Sequence, residues 1–103
     1  PWSSQAGGFF AIPNPASHVS RDLLRCWSSD DNFQRLERAK QLATRRGVAP
    51  IQIALAYVLN QPFPCFPIIG PLRLAELRAS CEAVLIRLSP GELAWLNLET
   101  DAP

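Results

Sequence analysis

At 103 residues, 48% of them hydrophobic and 18% charged, the chain has the composition of a globular protein and enough length to bury a core. A formal net charge of +1 gives no field that would draw nucleic acid or an acidic membrane, and no apolar run reaches the roughly 18–20 residues a membrane span needs. Three scattered cysteines, Cys26, Cys65 and Cys81, form no C-x-x-C pair, and with one histidine they offer no metal cluster; reduced thiols in a cytoplasmic protein are the expectation.

Residues 1–10, PWSSQAGGFF, read as a strand running into a loop of small residues, where Gly7-Gly8 permits a close approach or a positive φ. Pro13-Asn14-Pro15 then opens a connection to a short helical piece around Val19–Trp27. Ser29-Asp30-Asp31 is a helix start, with acids placed for the positive end of the dipole. Phe33, Leu36, Ala39 and Ala43 recur at helical spacing from Asn32 to Arg46, with Leu42 beside them, and Gly47 is a natural cap. Pro50 opens a helix over Ile51–Asn60 that is apolar nearly all round and therefore expected to be buried on most sides.

Pro62 and Pro64 end that helix, and Cys65–Ile69 reads as a short strand closed by Gly70-Pro71. Leu74–Val84 is the next helix, with Leu74, Leu77 and Cys81 spaced along one face and Val84 completing it. Ser89-Pro90-Gly91-Glu92 is a capping box that opens a terminal helix carrying Leu93, Trp95 and Leu96.

Helices between successive strands indicate an α/β protein with a parallel sheet. Two parallel strands cannot cover both faces or satisfy their edges, so the pattern fits one segment of a barrel of eight repeated units, which takes about 250 residues. The chain starts without Met and inside the first strand, and is expected to be part of a larger protein. The alternative is an all-helical domain in which both strand assignments fail.

Taken together and in order, PWSSQAGGFF, the stretch RCWSSDDNFQRLERAKQLATRRGVAPIQIALAYVLNQPFPCFPIIGP that begins at Arg25, and the closing LSPGELAWLNL resemble the last third of an aldo-keto reductase of bacterial type. The resemblance implies the C-terminal segment, about strands 7–8 and the helices that follow, of a (β/α)8 TIM barrel, with residues 1–103 incomplete on their own. It implies an NAD(P)H-dependent oxidoreductase that interconverts carbonyl compounds and alcohols, with NADP(H) as cofactor and NAD(H) as the alternative. The expected partners are a small carbonyl or alcohol substrate and the N-terminal part of the same barrel.

By the same resemblance, Trp2 stacks on the nicotinamide, and Ser3, Gln5 and Gly7 wrap the pyrophosphate through hydroxyl and backbone N–H groups. The plainer reading of these residues is a strand end followed by a Gly-Gly turn. Gly70, Pro71, Leu72, Arg73, Glu76, Ala79 and Ser80 fall in the adenosine-binding segment. Many relatives place a basic residue two positions after the glycine, against the 2′-phosphate of NADPH. Leu72 stands there instead, with Arg73 one residue out of register, and Ala79 and Ser80 replace an acid and an Asn that contact adenine. Arg73 and Arg78 also read as members of a solvated helix face.

The family's catalytic Asp, Tyr, Lys and His come from earlier strands, and none is assigned here: Tyr57 sits in an apolar helix and His18 in a loop. Trp27 belongs either at a substrate pocket or in core packing. Two rival readings remain: a non-catalytic barrel that keeps its cofactor loops, and a helix-turn-helix at LERAKQLATRRGVAPIQIALAYVLN. The second conflicts with the need for polar side chains at base edges, because Gln52 is the one such residue that the second helix offers before Asn60.

Overall fold

The computed structural model describes residues 4–12 and 21–103; residues 1–3 and 13–20, with Trp2, Ser3 and His18, lie outside the described residues. Among the described residues, five α-helices follow in order: α1 (Arg21–Trp27), α2 (Asp30–Arg46), α3 (Pro50–Leu59), α4 (Leu74–Glu82) and α5 (Pro90–Leu96). Short 3₁₀ turns span Ala6–Ala11 and Ala83–Leu85.

Local chemistry sets the ends of these helices. Ser29 Oγ accepts the N–H of Asn32 at 3.1 Å, with Asp30 and Asp31 in the first turn of α2. Gly47 ends α2 at φ +67°, a conformation that a side chain would strain. Ala49 has no capping side chain, so Gln52 supplies the acceptor: its Oε1 takes the Ala49 N–H at 2.9 Å.

Ala39, Leu42 and Ala43 of α2 pack with Ile53, Leu55 and Ala56 of α3. Ala83, Ile86, Leu88, Trp95 and Leu96 complete that core. A second cluster joins Ala6, Phe9, Ile12 and Leu36, flanked by Leu23, Trp27 and Phe33. The Phe9 and Phe33 rings are 5.4 Å apart, which pins the N-terminal turn to α2. Asn60 holds the segment before α5: its Nδ2 donates to Ile86 O at 2.9 Å and its Oδ1 accepts the Leu88 N–H at 3.2 Å. Arg38 and Arg45 stack over the Trp95 ring at 5.3 and 5.9 Å, and Arg38 also donates to the Thr100 carbonyl.

The structure departs from expectation in its strands. Among the described residues there is no strand, so the described chain is helical, as in the all-helical alternative. Residues 64–70 take no helical form, and their burial alternates: Cys65, Pro67 and Ile69 are half-buried, whereas Phe66 and Ile68 are 83% and 67% exposed. The run has the period-two burial of a strand, but among the described residues no ladder forms on it. In α4 the apolar face points outward. Leu74, Leu77, Cys81 and Val84 are exposed, and Ser80 and Ala83 are buried instead. The side turned to α3 is the one with small residues, where Gln52 Nε2 donates to Ala79 O at 3.0 Å and to Glu82 Oε2 at 3.2 Å.

Helix α5 is joined to α2 by charge. Arg46 donates to both carboxylate oxygens of Glu92 at 2.8 and 2.6 Å, and Glu92 also accepts the Ser89 N–H at 2.9 Å. Burial pushes the Glu92 carboxyl up, but the Arg46 bond, the Ser89 N–H and the charges of Arg46 and Arg45 outweigh it and hold it below its ordinary 4.5. The folded state therefore binds this proton less readily than the unfolded chain does. The contribution is present above the ordinary value and is lost as pH falls through the lowered one. Glu92→Gln should lower stability at neutral pH by no more than about 1 kcal/mol. Urea midpoints of the two proteins should converge as the pH drops; a constant gap down to acid pH would rule the pair out as the cause.

Candidate functional site

The two segments singled out in the sequence meet in space. Ser4 Oγ donates to Ile68 O at 2.9 Å across 64 positions of sequence, and Gln5 Nε2 donates to Ser80 Oγ at 3.4 Å. Between them lies a groove of about 600 Å³. One wall is the turn at Ser4, Gln5, Gly7 and Gly8; the other is Ile68–Leu72 with the face of α4 that carries Ala75, Glu76, Ala79 and Ser80. Ile51 of α3 contributes between them.

The first wall needs an unusual backbone. Ala6, Gly7 and Gly8 have φ of +51°, +62° and +92° in succession. The turn is closed by the Gly8 N–H on Gln5 O at 3.0 Å and anchored by the fully buried Phe9. Three positive values in a row reverse the chain tightly and leave polar main chain beside the groove. A Cβ on Gly7 would come within 3.3 Å of Leu23 Cδ1, so α1 also bears on this turn. Gly70, on the other wall, faces open space.

Of the expected cofactor residues, Gln5, Gly7, Gly70, Pro71, Leu72, Glu76 and Ser80 line this one groove. Arg73 does not line it: it is the exposed N-cap residue of α4. Trp2 and Ser3 lie outside the described residues. Ser4, Gly8, Ile51, Ile68 and Ala75 were not expected there. The signal for Ala75 was available, because it lies one turn of α4 before Ala79 on the same face.

Glu76 Oε2 accepts the N–H groups of Leu72 at 2.7 Å and Arg73 at 3.3 Å, at the mouth of α4. Ser80 is buried, and Leu72 is almost wholly exposed at the rim. A smaller, mostly apolar cavity of about 250 Å³ lies on the other side of the N-terminal turn, lined in part by Trp27, Arg35, Tyr57 and Asn97. Tyr57 does not face it as a free hydroxyl, since its OH bonds to Asn97 Oδ1 at 3.2 Å.

Residues 1–97 match the Aldo/keto reductase family, and the chain belongs to that family. It is 27% identical to versiconal hemiacetal acetate reductase of Aspergillus parasiticus over 94% of its own length and 30% of that protein's. It is 33% identical to the oxidoreductase YrpG of Bacillus subtilis, over 93% of the chain and 30% of the relative. With norsolorinic acid reductase A of Aspergillus parasiticus the identity is 30%, over 94% and 24%. The chain thus spans less than a third of the length of these relatives.

The two lining glycines should respond differently to substitution. Gly7→Ala places a side chain at φ +62° against Leu23 and should cost about 1–2 kcal/mol of stability. Gly70→Ala meets no atom within 4 Å and should leave stability within about 0.5 kcal/mol. Equal losses in thermal midpoint for the two variants would contradict this account of the turn.

Proposed function

We propose that this chain is the C-terminal part of a (β/α)8 barrel reductase, and that its groove holds the adenosine and pyrophosphate portions of a nicotinamide dinucleotide. The observation that carries the reading is the convergence of residues 4–8 and 68–80 on one groove. Its lining fits the group. Backbone at Gly7, Gly8 and Gly70 permits close approach to a phosphate or ribose, and Ser4, Gln5 and Ser80 supply hydrogen-bonding side chains. Ala75 and Ala79 leave flat apolar room of the kind an adenine ring fills.

When bound, such a cofactor supplies the hydride that reduces an aldehyde or ketone carbonyl, or accepts one from an alcohol. The residues of this chain hold and orient it. By family resemblance Trp2 forms a wall against the nicotinamide ring, and Ser3 and Gln5 embrace the pyrophosphate. The proton donor and its partners belong to the earlier strands of the barrel. The exposed stripe of Phe66, Ile68, Leu74, Leu77 and Val84 supports the same reading, because the remainder of a barrel has the apolar surface to cover it. Against the helix-turn-helix reading, the Gln52 side chain is buried and bonded to α4, away from any base edge.

Filling the groove tests the proposal. In the full-length protein, Ala79→Trp should weaken binding of both NADH and NADPH by at least about tenfold, measured by quenching of protein fluorescence, with the thermal midpoint little changed. Unaltered affinity for both nucleotides would place their site elsewhere. A second test uses residues 1–103 alone. With this apolar stripe uncovered, the fragment should self-associate and bind a hydrophobic dye; a monomer with a sharp thermal transition would contradict the barrel assignment.

A further inference from the structure

Among the described residues, Glu76 is the one ionisable side chain on the wall of the groove. Its carboxylate takes the N–H groups of Leu72 and of the N-cap Arg73, which lie just ahead of the first turn of α4. Successive main-chain N–H groups that converge on one point are natural partners of a ligand phosphate. Here a carboxylate of the protein already satisfies them. Arg73, the nearest cation in sequence, sits at the N-cap and off the lining, and Leu72 fills the rim with an apolar side chain.

A phosphate monoester carries a charge of roughly −1.5 to −2 at neutral pH. To reach these amides it would have to displace Glu76 and then lie beside the displaced carboxylate, with no cation among the described lining residues to offset either charge. A ribose with free hydroxyls faces the opposite situation, because each hydroxyl is a donor and a carboxylate is acceptor-only. We infer that Glu76 makes this groove a site for the unphosphorylated dinucleotide, NAD(H): the carboxylate accepts from the adenosine ribose and repels a 2′-phosphate. This inference rests on reading the groove as a nicotinamide dinucleotide site.

The test is titration of the full-length protein with NADH and with NADPH, following binding by nucleotide fluorescence without substrate. The wild-type protein should bind NADH about tenfold or more tightly than NADPH. Glu76→Gln keeps an oxygen for the two amides and removes the charge. It should tighten NADPH about tenfold while moving NADH less than about threefold. Glu76→Ala makes the same charge change and should shift the ratio in the same direction, which covers a failure of the first variant to fold. A wild-type preference for NADPH, or equal shifts for both nucleotides in Glu76→Gln, overturns the assignment to Glu76. Ala79→Trp separates this from failure of the groove reading. If it abolishes both affinities while the Glu76 variants leave the ratio fixed, the groove stands and Glu76 does not discriminate. If it alters neither, the site lies elsewhere and the inference falls with it.

Discussion

Burial of α3 is the constraint on which the other elements depend. Ile53, Leu55 and Ala56 are at most 2% exposed, and α2, the N-terminal turn, α4 and the turn after it all rest on this helix. Burying each large aliphatic side chain contributes about 1.5–3 kcal/mol, so this helix holds much of the packing energy. It also carries the polar joints. Gln52 ties its start to α4, and Asn60 ties its end to residues 86–88. A buried amide left without partners would cost about 1–3 kcal/mol, so each joint admits one register. Ile51, one residue before Gln52, lines the groove. The position of the groove walls therefore follows from how α3 is packed.

The groove itself is made by leaving side chains out. Gly7, Gly8, Gly70, Ala75 and Ala79 surround it with little bulk, while Phe9 behind the first wall and Ala83 behind the second are fully buried. The positive φ of Ala6 is a local strain on a residue with a Cβ. It is held because Ala6 is buried in the same cluster as Phe9 and Leu36. Rigid packing behind and small residues in front give a surface that a ligand can approach without rearranging the core.

What the sequence made legible was whatever is decided locally. Ser29, Gly47, Pro50 and the Ser89–Glu92 box mark helix ends because their chemistry acts within a few residues, and the helices lie where those signals place them. The helix begins at Asp30, directly after the Ser29 cap that the sequence marks. Strands are different: a ladder needs a partner, and the period-two burial at 65–69 is not joined by a ladder among the described residues. The apolar stripe of α4 was legible as a stripe, but its partner was not, since periodicity gives a face and not what covers it. The groove residues drawn from the family resemblance came together wherever they are described, except Arg73. Its position at the N-cap turns on φ and ψ at one residue, which no spacing rule reaches. The bond from Glu76 back to the Leu72 and Arg73 amides is a capping interaction of acid at the third helical position, legible in kind but not in consequence.

Leu72 belongs to two surfaces at once, and this links assembly to binding. It lines the groove, and it is also one of the exposed apolar residues that run through Phe66, Ile68, Leu74 and Leu77. A partner surface over those residues would also touch Leu72, at the rim of the groove that Glu76 lines. Water now reaches the Glu76 carboxylate, where charges are screened and discrimination is weak. A cover over the stripe would lower the local dielectric and strengthen both the attraction of the carboxylate for a ribose hydroxyl and its repulsion of a phosphate. On the nucleotide reading proposed above, selectivity would therefore belong to the covered groove and not to Glu76 alone.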